Sequence, residues 1–126
     1  MKIVAILFGG GLGAVLRYLC SEYLNSVCST VFSVGTLAVN TIGAFLIGFS
    51  FNLFGTYSVA PELRLFLITG FLGGFTTFST YSLETVQLLL DGNVKAALLN
   101  LALNNILCII FVISGMALSR LIAKHI

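Results

Sequence analysis

The chain has 126 residues, of which 59% are hydrophobic and only 8% are charged, and its formal net charge is +2. Soluble domains carry about 25% charged residues, so this composition excludes an ordinary soluble protein and indicates an integral membrane protein. The basic side chains are scattered and form no basic patch, so we expect no nucleic-acid binding.

The cysteines and the histidine give no sign of a metal or redox site. Cys20, Cys28 and Cys108 show no Cys-x-x-Cys spacing, and the single histidine, His125, lies at the far end of the chain. We expect the cysteines to be ordinary small apolar residues. No nucleophile is paired with a base and no carboxylates cluster, so we do not expect an enzyme.

A single transmembrane domain over residues 1–126 is expected, because four stretches reach the roughly 20 apolar residues that a membrane-spanning helix needs. The first is predicted over 3–24. It is not followed by a small-residue cleavage site, so we expect it to remain as a helix. It carries Arg17 near one end, where the side chain can reach the interface. We expect the glycines between Gly9 and Gly13 to permit close helix packing.

The second helix is predicted over 32–53, after a polar stretch that is typical of a loop and contains Asn25, Ser26, Ser29 and Thr30. Inside this helix, Asn40 shares a face with Thr36 and Gly43. Its amide offers two N–H donors without a formal charge, which suits a permeating anion. An interhelical hydrogen bond explains the same residue equally well, and the sequence leaves both roles open.

The third helix is predicted over 61–90 and begins at Pro61, the only proline, which suits the first helical turn. Its middle contains Gly73, Gly74, Thr76 and Thr77, residue types that disfavour a helix. We expect the helix to break near 73–77, close to the bilayer midplane. Unpaired backbone groups at that depth are costly unless they face protein, an ion or water, so a break indicates an ion site or a pathway. Close packing of the glycines is the alternative.

The fourth helix is predicted over 94–122, after a turn at residues 91–93. Asn100, Asn104 and Cys108 recur every four residues and form one stripe, which would line a polar track or bind a neighbouring helix. In the third helix, Phe78 and Tyr81 share a face just beyond the predicted break. Aromatic ring edges can contact an anion, although aromatic residues in apolar helices usually serve packing.

The basic residues give only a weak preference for one orientation in the membrane. An even number of spans places both termini on one side, with four basic residues there (Lys2, Arg64, Arg120, Lys124) and two on the other (Arg17, Lys95). Such a small difference would allow insertion in either direction. Dual topology of this kind is the precondition for an antiparallel dimer of identical chains.

Three motifs in this order resemble the CrcB, or Fluc, family of fluoride channels. They are GGLGAVLRY at 10–18, GTLAVNTIG at 35–43 and GFLGGFTTFSTYSLE at 70–84. The resemblance implies an all-α protein of the inner (plasma) membrane that works as an antiparallel homodimer in the lipid bilayer. It also implies two pores through which fluoride is exported passively.

The resemblance further implies roles for particular residues. A structural sodium ion at the dimer centre would be held by the backbone carbonyls of Gly73 and Thr76. The anion pathway would use Asn40, Phe78, Ser79 and Thr80, with Arg17 at the vestibule, and would extend to Tyr81, Asn104 and Cys108.

The chain departs from the family pattern in two of its helices, the third and the fourth. Tyr81 stands where the family usually has phenylalanine, and its hydroxyl would either donate to the anion or obstruct it. Asn104 and Cys108 stand where small hydroxyl residues are expected.

The sequence also allows two other functions. A small dual-topology drug or cation exporter would need a carboxylate inside the membrane, and Glu84 lies beyond the break near the end of the third helix. A non-transporting membrane scaffold would use the glycines and asparagines only for helix packing. Pairing with a different, oppositely oriented partner is the alternative to a homodimer.

Overall fold

The computed structural model describes residues 1–125, and this part of the chain is helical with no β-strand. Four helical segments are long and apolar enough to cross a membrane: Lys2–Val27, Val34–Thr56, Pro61–Leu90 and Val94–His125. The prediction of an all-α membrane protein with four spans is therefore confirmed.

The helices are labelled in chain order. Helix α1 is Lys2–Val27 and α2 is Val34–Thr56. The third span consists of α3, residues 61–75, and α4, Phe78–Leu90. Helix α5 is Val94–His125.

The connection between α1 and α2 is shorter than the sequence suggested. Helix α1 ends at Val27 rather than at residue 24, so the prediction that Asn25 and Ser26 lie in a loop was wrong. Their polar groups are satisfied inside the fold: Ser26 Oγ donates to Tyr23 O at 2.7 Å, and Asn25 Oδ1 accepts the Gly35 N–H at 2.9 Å. Asn25 therefore ties the end of α1 to the start of α2.

Helix boundaries elsewhere differ by a few residues from those predicted. Helix α2 begins at Val34 rather than at residue 32, because Ser33 Oγ accepts the Thr36 N–H at 3.2 Å as an N-terminal cap. It ends at Thr56 rather than at residue 53, and α5 runs to His125 rather than to 122.

The third span changes geometry along its length. It starts as an α-helix at Pro61 and continues as a π-helix over Leu65–Leu72, in which the Gly73 N–H reaches Ile68 O. A final α-helical turn, Gly73–Phe75, is followed by two extended residues, Thr76 (φ −86°, ψ 157°) and Thr77 (φ −150°, ψ 120°). The predicted break is therefore confirmed at Thr76–Thr77, in the middle of the span. The π-helix was not anticipated; π-helical turns are frequent at functional sites.

Glycines allow α1 and α3 to touch along their backbones. A β-carbon at Gly9 would meet Phe66 O, one at Gly13 would meet Phe71 O, and one at Gly74 would meet Gly10 O. The expected packing role of the Gly9 to Gly13 cluster is thus seen directly. Gly70 and Gly74 of the third span also pack closely against α1, and the helix breaks two residues after Gly74.

The C-terminal ends of α2 and α5 and the N-terminal end of α3 lie on one side of the bundle. Asn52 Nδ2 donates to Ser119 Oγ at 2.8 Å, and the Arg64 guanidinium lies 5.8 Å from the centre of the Phe51 ring. These contacts agree with spans that alternate in direction. Many large apolar side chains on the outside of the bundle are exposed, as expected for surface that faces lipid or another chain.

Candidate functional site

An open groove of about 340 Å³ lies between α2, the helix break and α5. Its lining contains five of the residues proposed from sequence for the anion pathway: Asn40, Phe78, Tyr81, Asn104 and Cys108. The break itself contributes Thr76 and Thr77. Residues from three segments that are far apart in sequence thus meet at one surface.

Asn40 replaces the helical hydrogen bonds that are missing at the break. Its Oδ1 accepts the Thr77 N–H at 2.7 Å, and its Nδ2 donates to Thr77 O at 2.9 Å and to Asn104 Oδ1 at 3.0 Å. The Thr77 N–H can only donate, so it fixes the orientation of the amide. Both Asn40 donors are engaged, and an anion that binds Asn40 must displace one of these bonds.

Asn40, Asn104 and Asn100 form a continuous chain of side-chain hydrogen bonds, here called the asparagine relay. Asn104 Nδ2 donates to Asn100 Oδ1 at 3.0 Å and to Asn100 O at 3.1 Å. Asn100, which is fully buried, donates to Thr85 Oγ1 at 3.0 Å. The relay therefore connects the break to α5 and to α4.

Two of the three residues in the polar stripe of α5 belong to the asparagine relay. Asn100 and Asn104 bind neighbouring helices, which is the second of the two roles that the sequence allowed, and Asn104 and Cys108 also line the groove. Sequence reasoning did not identify Thr85 as a partner. Its position one turn after Tyr81, on a face shared with it, was the available signal.

The two aromatic residues of the groove contact each other edge to face. The rings of Phe78 and Tyr81 have centroids 5.2 Å apart and planes inclined by 72°. Phe78 is 73% exposed, whereas Tyr81 is only 7% exposed. Asn105 Nδ2 donates to the Tyr81 hydroxyl oxygen at 2.9 Å, a contact that the sequence analysis missed because it joins residues on different helices.

Ser79 and Thr80 lie in the first turn of α4, next to the groove but outside its lining. Thr77 caps this turn: its Oγ1 accepts the Thr80 N–H at 3.2 Å and donates to Thr80 Oγ1 at 3.0 Å. Ser79 Oγ lies 3.4 Å from the same Thr77 oxygen. Three hydroxyl groups thus cluster at the positive N-terminal end of α4.

Arg17 also contacts the break, although it does not line the groove. Its Nε donates to Gly74 O at 3.0 Å. The partner of this carbonyl in an unbroken helix would be the Phe78 N–H. The Arg17 side chain therefore links α1 to the last turn of α3.

The two carbonyls proposed from sequence as cation ligands have lost their helical partners. The Thr77 N–H, which would bond to Gly73 O in an unbroken helix, donates to Asn40 instead. The Thr80 N–H, which would bond to Thr76 O, donates to Thr77 Oγ1. Within residues 1–125, no three His, Cys, Asp or Glu side chains come together, so backbone oxygens are the ligands that this region offers to a hard cation.

Glu84 lies in a second cavity, of about 180 Å³, next to Ser33 and Asp91. Its Oε1 accepts the Thr36 hydroxyl at 2.7 Å. Its Oε2 is buried and has no hydrogen-bond partner within the described residues. Glu84 is thus held against α2 and is separate from the lining of the groove.

The sequence was compared with known proteins. The family described as "CrcB-like protein, Camphor Resistance (CrcB)" matches residues 4–116. A protein of Hydrogenobaculum sp. (strain Y04AAS1) named "Fluoride-specific ion channel FluC" is 43% identical over 123 residues, which cover 97% of this chain and 100% of that protein. Proteins of the same name from Pyrococcus horikoshii (43% identical; 94% of this chain, 97% of that protein) and Parabacteroides distasonis (40% identical; 95% and 94%) are similarly related.

Proposed function

Because this chain belongs to the CrcB-like family, we propose that it is a fluoride-specific ion channel of the plasma membrane. It is a multi-pass channel rather than an enzyme, and it lets fluoride leave the cell down its gradient, which lowers the cytoplasmic concentration and confers fluoride resistance. The observation that carries this conclusion is the similarity, over nearly the whole chain, to proteins with that name. The drug exporter and the scaffold have no comparable support.

The working unit in this proposal is an antiparallel homodimer with two pores, each lined by both chains. Three features support it. The groove is open along one side, and Phe78 at its edge is 73% exposed. Gly73 beside the break is also exposed. The weak charge bias between the two membrane faces allows either orientation.

The proposed anion pathway follows the groove and the first turn of α4. Phe78 and Tyr81 would contact fluoride through ring edges, and the hydroxyls of Ser79 and Thr80 would donate to it. Uncharged donors and ring edges bind an anion weakly enough for it to leave again, which conduction requires. Asn40, Asn104 and Cys108 would border the path, and Arg17 would attract fluoride to the vestibule.

A structural sodium ion at the dimer centre fits the freed carbonyls of Gly73 and Thr76. A sodium ion there would neutralise carbonyl dipoles that otherwise lack partners in a low-dielectric environment. Two such carbonyls from each chain would give four oxygen ligands, the ligand type that hard cations prefer.

The proposal is tested by fluoride efflux from liposomes that contain the purified protein and potassium fluoride, recorded with an ion-selective electrode after the potassium ionophore valinomycin is added so that potassium can follow the anion. Protein-free liposomes and liposomes loaded with chloride are the controls. We expect rapid loss of fluoride and little loss of chloride. Retention of both anions would refute the proposed function.

A further inference from the structure

We propose that the Tyr81 hydroxyl donates a hydrogen bond to the fluoride ion in the groove, and that Asn105 is the positioning residue that turns the hydroxyl proton toward it. This inference rests on the proposed function. It assigns a role in anion recognition to a hydroxyl that the family usually lacks, and to an asparagine outside the three motifs.

The first observation is an unused donor in a buried position. Tyr81 is 7% exposed and lines the groove, and within residues 1–125 its hydroxyl forms one hydrogen bond, in which the oxygen accepts from Asn105. At the wall of an open groove the free hydroxyl proton is available to water or to a ligand, and a donor left without either would be unfavourable. In a channel for anions, the anion is the natural acceptor.

The second observation is the direction of the Tyr81 to Asn105 hydrogen bond. Asn105 Nδ2 also donates to Leu101 O at 2.7 Å, and because a carbonyl can only accept, this bond fixes which end of the amide is the nitrogen. Nδ2 must therefore donate to the Tyr81 oxygen, at 2.9 Å. The hydroxyl accepts from Asn105 and so keeps its own proton free. An Asn105 amide turned the other way would consume that proton.

The third observation is that the Tyr81 side chain is held at the groove wall. Its ring is 7% exposed and packs edge to face on Phe78, with 5.2 Å between ring centroids, and its hydroxyl oxygen accepts from Asn105 at 2.9 Å. The hydroxyl therefore occupies a defined position. Fluoride is a small and strong hydrogen-bond acceptor, whereas chloride is larger and weaker, so a fixed O–H donor favours fluoride. Being neutral, this donor does not trap the ion.

The test measures fluoride efflux from liposomes in the presence of valinomycin, as a function of fluoride concentration, for four proteins: the wild type, Tyr81→Phe, Asn105→Leu and the double variant. A hydrogen bond to a charged acceptor is strong enough that losing it should raise the half-saturating fluoride concentration about tenfold in Tyr81→Phe. Asn105→Leu should raise it about threefold in the wild-type background and have no further effect in Tyr81→Phe, because the two residues act through one hydroxyl.

A matched control is Tyr23→Phe, at a tyrosine of α1 that is 68% exposed and outside the groove, which should leave the curve unchanged. Circular dichroism and gel filtration of each variant establish that helices and oligomeric state are retained. An unchanged half-saturating concentration in Tyr81→Phe would overturn the inference. So would an equal effect of Asn105→Leu in both backgrounds, or a loss of flux in Tyr81→Phe that accompanies loss of the oligomer. Absence of fluoride flux in the wild type would instead refute the proposed function itself.

Discussion

Asn40→Asp should abolish fluoride flux, and the structure indicates why such a small change is severe. The new carboxylate still accepts the Thr77 N–H but loses both donors. It then faces two acceptors, Thr77 O and Asn104 Oδ1, at the positions that lie 2.9 and 3.0 Å from the present Asn40 nitrogen. Asn104 cannot relieve this by rotating its amide, because its own nitrogen is required by Asn100 O.

The magnitude has two parts. Loss of two hydrogen bonds lowers the free energy of unfolding by about 2 kcal/mol, at about 1 kcal/mol for each bond. If fluoride passes at a distance of about 5 Å, a negative charge at this position repels it by about 3 kcal/mol at an effective dielectric constant of about 20. The second part alone corresponds to a reduction in flux on the order of 100-fold.

The assay is fluoride efflux from liposomes, with circular dichroism to verify folding. Asn52→Asp is the matched control, because it makes the same change in the same helix at a residue whose Oδ1 accepts from Arg120 Nε at 3.4 Å, where a negative charge is favourable. Flux in Asn40→Asp within threefold of the wild type would refute the reasoning. Equal loss of flux in Asn52→Asp would show that any new carboxylate in α2 is damaging.

Three further predictions concern packing, the asparagine relay and Glu84. Gly74→Val should lower the free energy of unfolding in detergent by about 1–3 kcal/mol, because the new side chain meets Gly10 O; Gly11→Val, where a β-carbon has no neighbour within 4 Å, should be nearly neutral. Asn100→Leu should cost about 1–2 kcal/mol in the same unfolding experiment, since Thr85 and Asn104 each lose a buried partner; unchanged stability would argue against the relay. Fluoride efflux should be insensitive to an imposed pH gradient in both the wild type and Glu84→Gln. Uptake that a pH gradient drives in the wild type and that disappears in Glu84→Gln would support the exporter instead.

Much of the fold was predictable because the relevant signals are local. Long apolar stretches define the spans, and the run of glycines and threonines in the third span predicts a break within a few residues of Thr76–Thr77. The π-helix over Leu65–Leu72 was not predicted, because no local residue pattern marks it; the same segment lies against the glycines of α1, a contact between distant parts of the chain. Asn25 was misassigned because its amide is satisfied by Gly35, across the turn.

The site was predictable as a set of residues but not as a set of contacts. The motif resemblance assigned Asn40, Phe78 and Tyr81 to one anion pathway, and all three line the groove. It could not reveal that both Asn40 donors are engaged, because one of them binds Asn104, 64 residues away. Asn105 was passed over for the same reason: its importance depends on the Tyr81 hydroxyl on another helix.

In the proposed function, fluoride crosses the membrane passively and carries its charge with it. The most direct measurement is efflux from liposomes loaded with potassium fluoride, with and without the potassium ionophore valinomycin. A passive channel predicts that efflux is small until valinomycin lets potassium follow and is then fast, whereas potassium chloride is retained under both conditions. Fast fluoride efflux without valinomycin that follows an imposed proton gradient would contradict the claim and indicate coupled exchange.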